Sequence, residues 1–108
     1  MAHVYMLECS DGSLYVGSTT DLERRLAQHA NGEGASYTRR RRPVTLIWNA
    51  EFASVADAFR FEKQVQGWSR RKRLALARGD FGEVHRLASR AHANRDEAGG
   101  GVSGRGGG

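Results

Sequence analysis

The sequence predicts an α+β domain, and three observations carry that prediction. Two β-prone stretches flank a Ser-Asp-Gly turn near the start, a third apolar stretch lies at residues 44–52, and capped amphipathic segments fill the intervals. The 108 residues suffice for one domain with a single modest core, set over residues 1–92, and leave a tail at 93–108.

The first strand is expected over residues 3–9 (His-Val-Tyr-Met-Leu-Glu-Cys) and the second near 13–18, joined through Ser10-Asp11-Gly12. Loop length decides where Tyr5 and Tyr15 point. A two-residue turn pairs Tyr15 with Glu8 and sets the tyrosines on opposite faces. A three-residue loop with Gly12 left-handed pairs Tyr15 with Leu7 and Tyr5 with Gly17, so that both rings share a face. The sequence permits either register.

Thr20 and Glu23 read as a capping box opening a helix to about Ala30, with Leu22, Leu26 and Ala30 as its buried stripe and Arg25 and His29 along the edge. Residues 31–43 read as a mobile basic loop ended by Pro43, and Val44 to Phe52 as the third strand. Ser54 and Asp57 cap a helix over 55–67 whose apolar stripe contains Val55, Ala58, Phe59, Phe61, Val65 and Trp68, with Glu62 in its middle. A carboxylate there is costly unless it is paired or bound to a metal, which makes Glu62 the acidic residue to watch. Ser69 starts a basic helix to about Arg78 with Leu74 and Leu76 inward. Asp80 and Glu83 cap a last helix with Phe81, Val84, Leu87 and Ala91 as core positions. The Gly-rich tail is expected to be disordered.

Charge is unevenly spread. Residues 1–38 hold two basic and five acidic side chains, residues 39–78 eleven and three, and residues 79–108 four and four. The excess sits in Arg39-Arg40-Arg41-Arg42 and Arg70-Arg71-Lys72-Arg73, the distribution that a polyphosphate backbone attracts. One cysteine, Cys9, excludes an internal disulfide and a cysteine-based zinc site. No apolar run is long enough to cross a bilayer, and a soluble cytoplasmic protein is expected.

Phosphodiester hydrolysis needs an activated water, charge stabilisation on the phosphate and help for the departing oxygen. Tyr5, Tyr15, Arg25, His29 and Glu62 supply these if they converge. Tyr15-Val16-Gly17, the ten residues from Tyr15 to Arg25, the four more to His29 and the later helical Glu62 resemble the GIY-YIG endonuclease superfamily, most of all its small single-domain members. The resemblance covers roughly residues 3–78. In His3-Val4-Tyr5 only the tyrosine matches, and a histidine stands at the usual first glycine.

The resemblance implies a central three-stranded antiparallel sheet flanked by helices and metal-dependent cleavage of DNA. It implies that Tyr5 or Tyr15 positions or deprotonates water, that Arg25 holds the scissile phosphate, that His29 assists the proton traffic, and that Glu62 holds a single Mg²⁺ or Mn²⁺. A structure- or damage-directed nuclease of repair or recombination is the leading expectation, with RNA left open as a substrate and a partner protein as one source of specificity. A non-cleaving nucleic-acid-binding module on the same fold is the alternative, and a scaffold for acidic proteins explains the arginines but not Glu62.

Overall fold

The computed structural model describes residues 1–88; Ala91 and the predicted tail lie outside them. The chain forms two compact units, residues 1–63 and residues from 64 onward. In chain order the elements are β1 (Ala2–Glu8), β2 (Leu14–Thr19), α1 (Leu22–Ala30), a single helical turn α2 (Ser36–Arg39), β3 (Thr45–Phe52), α3 (Val55–Gln66) and α4 (Arg70–Ala77). A further helix is described over residues 81–88. Among the described residues no helix is long and apolar enough to cross a membrane.

The first unit is built on a three-stranded sheet of order β2-β1-β3 with both neighbours of β1 antiparallel to it. As the central strand, β1 is covered on both faces, which its continuous run Val4-Tyr5-Met6-Leu7 requires, and all four are buried. The loop takes the three-residue form: Cys9 N–H donates to the Ser13 carbonyl at 2.8 Å and Gly12 stands at φ +84°. The register is therefore Tyr5 opposite Gly17 and Leu7 opposite Tyr15, which puts both tyrosines on one face. Asp11 shapes the loop by accepting from the Ser13 backbone and hydroxyl at 3.0 and 2.6 Å. A bulge shifts the β1–β3 register between Met6 and Leu7.

On the other face, Trp48 and Phe52 of β3 meet Phe61 of α3 at ring separations of 6.1 and 5.5 Å. That contact corrects the predicted stripe. Ala58 is buried and Phe61 and Glu62 half-buried, whereas Val55 and Phe59 are 62% and 51% exposed. At 3.6 residues per turn Phe59 lies more than a third of a turn from the mean direction of Ala58 and Phe61, and Val55 lies on the same side of the helix as Phe59. The Ser54 cap is present, its hydroxyl accepting from Asp57 N–H at 3.0 Å.

Helix α1 also differs at its start. Its cap is Asp21, whose carboxylate accepts from Arg24 N–H at 3.1 Å, rather than Thr20. Thr19 in turn accepts from Asp21 N–H at 3.0 Å and so anchors the cap to the end of β2. His29, expected at the edge of the stripe, is the buried residue of the helix, while Ala30 is exposed. The predicted mobile loop contains α2, whose Thr38 is fully buried.

In the second unit, Ser69 caps α4 by accepting from Lys72 N–H at 3.2 Å, and Ala75 and Leu76 are buried. Asp80 caps the following helix through Glu83 N–H at 3.1 Å. Phe81, expected in the core, is 66% exposed because it opens that helix, and Val84 and Leu87 are half-buried.

Gly12→Ala tests how far the hairpin depends on its loop. A β-carbon there meets nothing within 4 Å, so the whole effect is the left-handed backbone. We expect a loss of about 1–2 kcal/mol, read as a lower urea midpoint at unchanged slope.

Candidate active site

The shared face of β1 and β2 carries a compact aromatic cluster closed by α1. Tyr5 and Tyr15 lie 6.4 Å apart between ring centres. The His29 ring stands edge-on to both, at 5.6 Å from Tyr5 and 5.4 Å from Tyr15. The Tyr5 hydroxyl and His29 Nε2 are 2.8 Å apart, and His29 Nδ1 is 2.8 Å from the Thr38 hydroxyl. Thr38 donates onward to the Ala35 carbonyl at 3.0 Å. Its one proton is thereby used, so it accepts from His29 Nδ1–H. Nε2 of the neutral ring is then bare and accepts from Tyr5.

Two glycines make this packing possible. A β-carbon on Gly17 would lie 2.5 Å from the Tyr5 hydroxyl oxygen, and one on Gly34 would run into Nδ1 and lie 2.8 Å from Cε1 of His29. Neither buried ring has room to withdraw, since Tyr5 is 1% and His29 0% exposed.

The electrostatics keep the pair in its neutral form. Burial pushes the Tyr5 phenol up, the Arg25 guanidinium beside it pulls the other way, and Tyr15 and Glu62 add to the rise. Burial, then the charge of Arg25, pulls His29 below the usual imidazole value. Arg25 itself is pushed upward, first by its hydrogen-bonding interaction with Tyr5, against its partial burial and with further support from Tyr15. Its Nη1 donates to Gln28 at 2.9 Å, which steadies a half-buried cation facing two phenols.

Glu62 arrives from the helix on the opposite face. It accepts from the Ser18 hydroxyl at 2.6 Å, one residue beyond Gly17 on the edge strand. Its charge still reaches Tyr5, raising the phenol. The structure thus gathers Tyr5, Tyr15, Arg25 and His29 into one cluster, with Glu62 at the strand end beside it. Among the described residues no three His, Cys, Asp or Glu side chains gather into a metal-holding group. A single half-exposed carboxylate fits a hard cation that keeps most of its waters, as Mg²⁺ does when one carboxylate binds it.

Ser18, Gly34, Tyr37 and Thr38 were not picked out from the sequence. Tyr37 stacks on Tyr15 at 6.1 Å and 25°, and Arg41 covers its ring at 3.9 Å. Arg41 also pairs with Asp11 at 3.1 Å and donates to the Tyr37 carbonyl at 2.9 Å. Arg42 donates to the carbonyls of Arg39 and Ala30. Within the first basic cluster, Arg39 and Arg40 extend into solvent and the other two brace the loop. In the second unit Arg71 pairs with Glu83 at 3.3 Å, Lys72 lies over Trp68 at 4.0 Å, Arg73 donates to the Trp68 carbonyl and Arg70 is exposed.

Residues 1–75 match the family model described as the GIY-YIG catalytic domain. The chain belongs to the GIY-YIG family. GIY-YIG domains are those of an endonuclease family, and Tyr5, Tyr15, Gly17, Arg25, His29 and Glu62 of this one all fall within the match. The chain is 50% identical over 76 residues to a UPF0213 protein of Halobacterium salinarum, covering 70% of this chain and 99% of that one. It is 43% identical over 90 residues to a UPF0213 protein of Halalkalibacterium halodurans, covering 81% and 96%. A solution NMR structure of a UPF0213 protein from Bacillus halodurans is 49% identical, covers 70% of this chain and 82% of that one, and has a TM-score of 0.47. These names state no activity, so substrate and chemistry have to come from the site.

The buried histidine predicts a pH dependence. Folding lowers its pKa, so below the ordinary value of about 6.5 the unfolded chain binds the extra proton first. Stability is fully present above about pH 6.5 and falls as the pH drops through the folded value. Urea midpoints from pH 8 to 5 should show that fall and His29→Gln should lose this component of it, while NMR should find His29 titrating below 6.5.

Proposed function

We propose that this protein is a cytoplasmic endonuclease that hydrolyses nucleic-acid phosphodiester bonds, with DNA as the substrate and one Mg²⁺ or Mn²⁺ held through Glu62. The observation that carries this reading is the Tyr5 hydroxyl, donated to a bare imidazole nitrogen at 2.8 Å beside the Arg25 guanidinium. A solitary buried tyrosine needs one hydrogen-bond partner. This one has a proton acceptor on one side and a fixed cation on the other, so a phenol that stays protonated can take a proton from water while passing its own to the imidazole.

Arg25 receives the scissile phosphate and neutralises its developing charge. Tyr5 orients the attacking water. As the water's O–H bond breaks, its proton passes to the Tyr5 oxygen while the original Tyr5 proton moves to His29 Nε2. The water oxygen bonds to phosphorus, the P–O bond to the leaving oxygen breaks, and that oxygen takes a proton from solvent. Tyr15 packs edge-on against the imidazole and keeps its plane. A divalent ion at Glu62, when bound, supplies further charge neutralisation on the phosphate and the leaving oxygen.

Arg39 and Arg40 of the first cluster and Arg70 and Arg71 of the second, Arg71 while paired with Glu83, are exposed and are the contacts for backbone charge. Arg41, Arg42, Lys72 and Arg73 are engaged within the chain and support the segments that present them. Backbone contacts read shape rather than sequence, which favours a structure- or damage-directed role in repair or recombination.

Branched, nicked, single-stranded and duplex DNA, incubated with Mg²⁺, Mn²⁺ or EDTA, test the reading. Glu62→Gln should keep the fold and its affinity for DNA in EDTA while cleavage falls by about two orders of magnitude or more. Equal cutting by the variant would remove Glu62 from the reaction. Binding with no cutting of any substrate by the parent would favour the non-cleaving module.

Salt dependence tests the exposed arginines. Replacing Arg39 and Arg40 together by Ala should flatten the log–log slope of duplex binding by up to about two units. An unchanged slope would place that turn away from the nucleic acid.

A further inference from the structure

We propose that Thr38 is a positioning residue of the active site: with the Ala35 carbonyl it fixes the Nδ1–H tautomer of His29 and so aims a bare Nε2 at the Tyr5 hydroxyl. The catalytic consequence rests on the nuclease reading above; the tautomer itself does not.

The chain of donors runs one way. The Thr38 hydroxyl lies 3.0 Å from the Ala35 carbonyl and 2.8 Å from His29 Nδ1. A carbonyl oxygen only accepts, so the hydroxyl proton belongs to it and a lone pair faces Nδ1. The reverse assignment would press the hydroxyl lone pairs against a carbonyl oxygen with no proton between them. Thr38 and His29 are both fully buried, which closes the pair to exchangeable water. The clamp is local and stiff. Ala35 is the N-cap of α2 and its carbonyl also accepts from Thr38 N–H and Arg39 N–H at 3.2 and 3.1 Å. Gly34, one residue earlier, lays its backbone on the same imidazole edge.

The tautomer decides the direction of the Tyr5 proton. With Nε2 bare, Tyr5 must donate inward, leaving its oxygen lone pairs for Arg25 and an incoming water. With Nε2 protonated, the imidazole would donate to the phenol, and His29 could not take the Tyr5 proton at all. The orienting partner of a catalytic imidazole acts in this way through its second nitrogen. Among the described residues, Arg25, Tyr5 and Tyr15 are the charged and titratable groups that act on this ring or pack against it, and Glu62 acts on its partner Tyr5.

The test uses the full chain labelled with ¹⁵N, together with Thr38→Val, which keeps the shape and removes the hydroxyl, and Thr38→Ser, which keeps the hydroxyl. Imidazole ¹⁵N shifts should show Nδ1–H for His29 in the parent and in the Ser variant. In the Val variant they should show Nε2–H or a mixture. Cleavage should follow: kcat of the Val variant falls about ten- to a hundredfold with KM within about twofold, and Ser restores most of it. Nε2–H in the parent, or an unchanged tautomer and kcat in the Val variant, would overturn the clamp. If the Val variant fails to fold, the parent's tautomer and the Ser variant's kcat still decide. A parent that cuts nothing overturns the nuclease reading and, with it, the catalytic role of Thr38. The shifts then show separately whether the clamp holds the ring.

Discussion

Much of the first unit can be understood as what it takes to bury one phenol beside one imidazole. Tyr5 sits on the central strand and is 1% exposed, so its hydroxyl has to find a partner inside the domain. A buried hydroxyl without a partner costs about 1–3 kcal/mol, and His29 is the partner provided. That single bond sets conditions elsewhere. The hairpin must take the three-residue loop so that Gly17, and no side chain, lies under the hydroxyl. Helix α1 must turn His29 inward instead of leaving it at the margin. The segment after it must come back with a backbone edge at Gly34 and a hydroxyl at Thr38.

The basic run is drawn into the same arrangement. Asp11 of the hairpin loop, Arg41, Tyr37 and Tyr15 form a connected series of ion pair, cation–π contact and ring stack. The loop that shapes the strand register is thereby tied to the segment that supplies Thr38. Half of Arg39–Arg42 is occupied with this internal work, and in the second cluster Arg71, Lys72 and Arg73 have partners within the chain. A count of arginines in the sequence therefore overstates the charge available to a polyanion. Hydrogen bonds from Ser13, with Arg41 adding to them, hold Asp11 below the usual carboxylate range, so the tie is charged at neutral pH.

The elements that rest on local patterns were legible in the sequence: the three strands, the helices at 55 and 70, the Ser54, Ser69 and Asp80 caps, and the two hairpin registers, of which one is realised. Spacing and resemblance also picked out Tyr5, Tyr15, Arg25 and His29, which the fold brings together. What escaped was tertiary in origin. Residues 36–39 form a helical turn because Thr38 meets an imidazole nine residues earlier and Tyr37 meets a strand, neither of which a window of sequence contains. His29 is a polar residue at the edge of the apolar stripe, and its two buried hydrogen bonds explain why it faces inward. Phe59 and Val55 were read as one apolar stripe with Ala58 and Phe61, but the rings of β3 meet α3 at Phe61, and the side of the helix that carries Val55 and Phe59 stays exposed.

The two glycines that touch the buried rings constrain the history such a site can have. Every other encoded amino acid carries a β-carbon, so at positions 17 and 34 the whole set of single-step replacements is closed at once. Elsewhere on the molecule a lineage can wander through near-neutral exchanges and return. Here a change survives only if Tyr5 or His29 has shrunk first, and that earlier step gives up the hydrogen bond the pocket is built round. Lineages that keep the bond are expected to keep both glycines, and a side chain at either position would signal that the site has been given up.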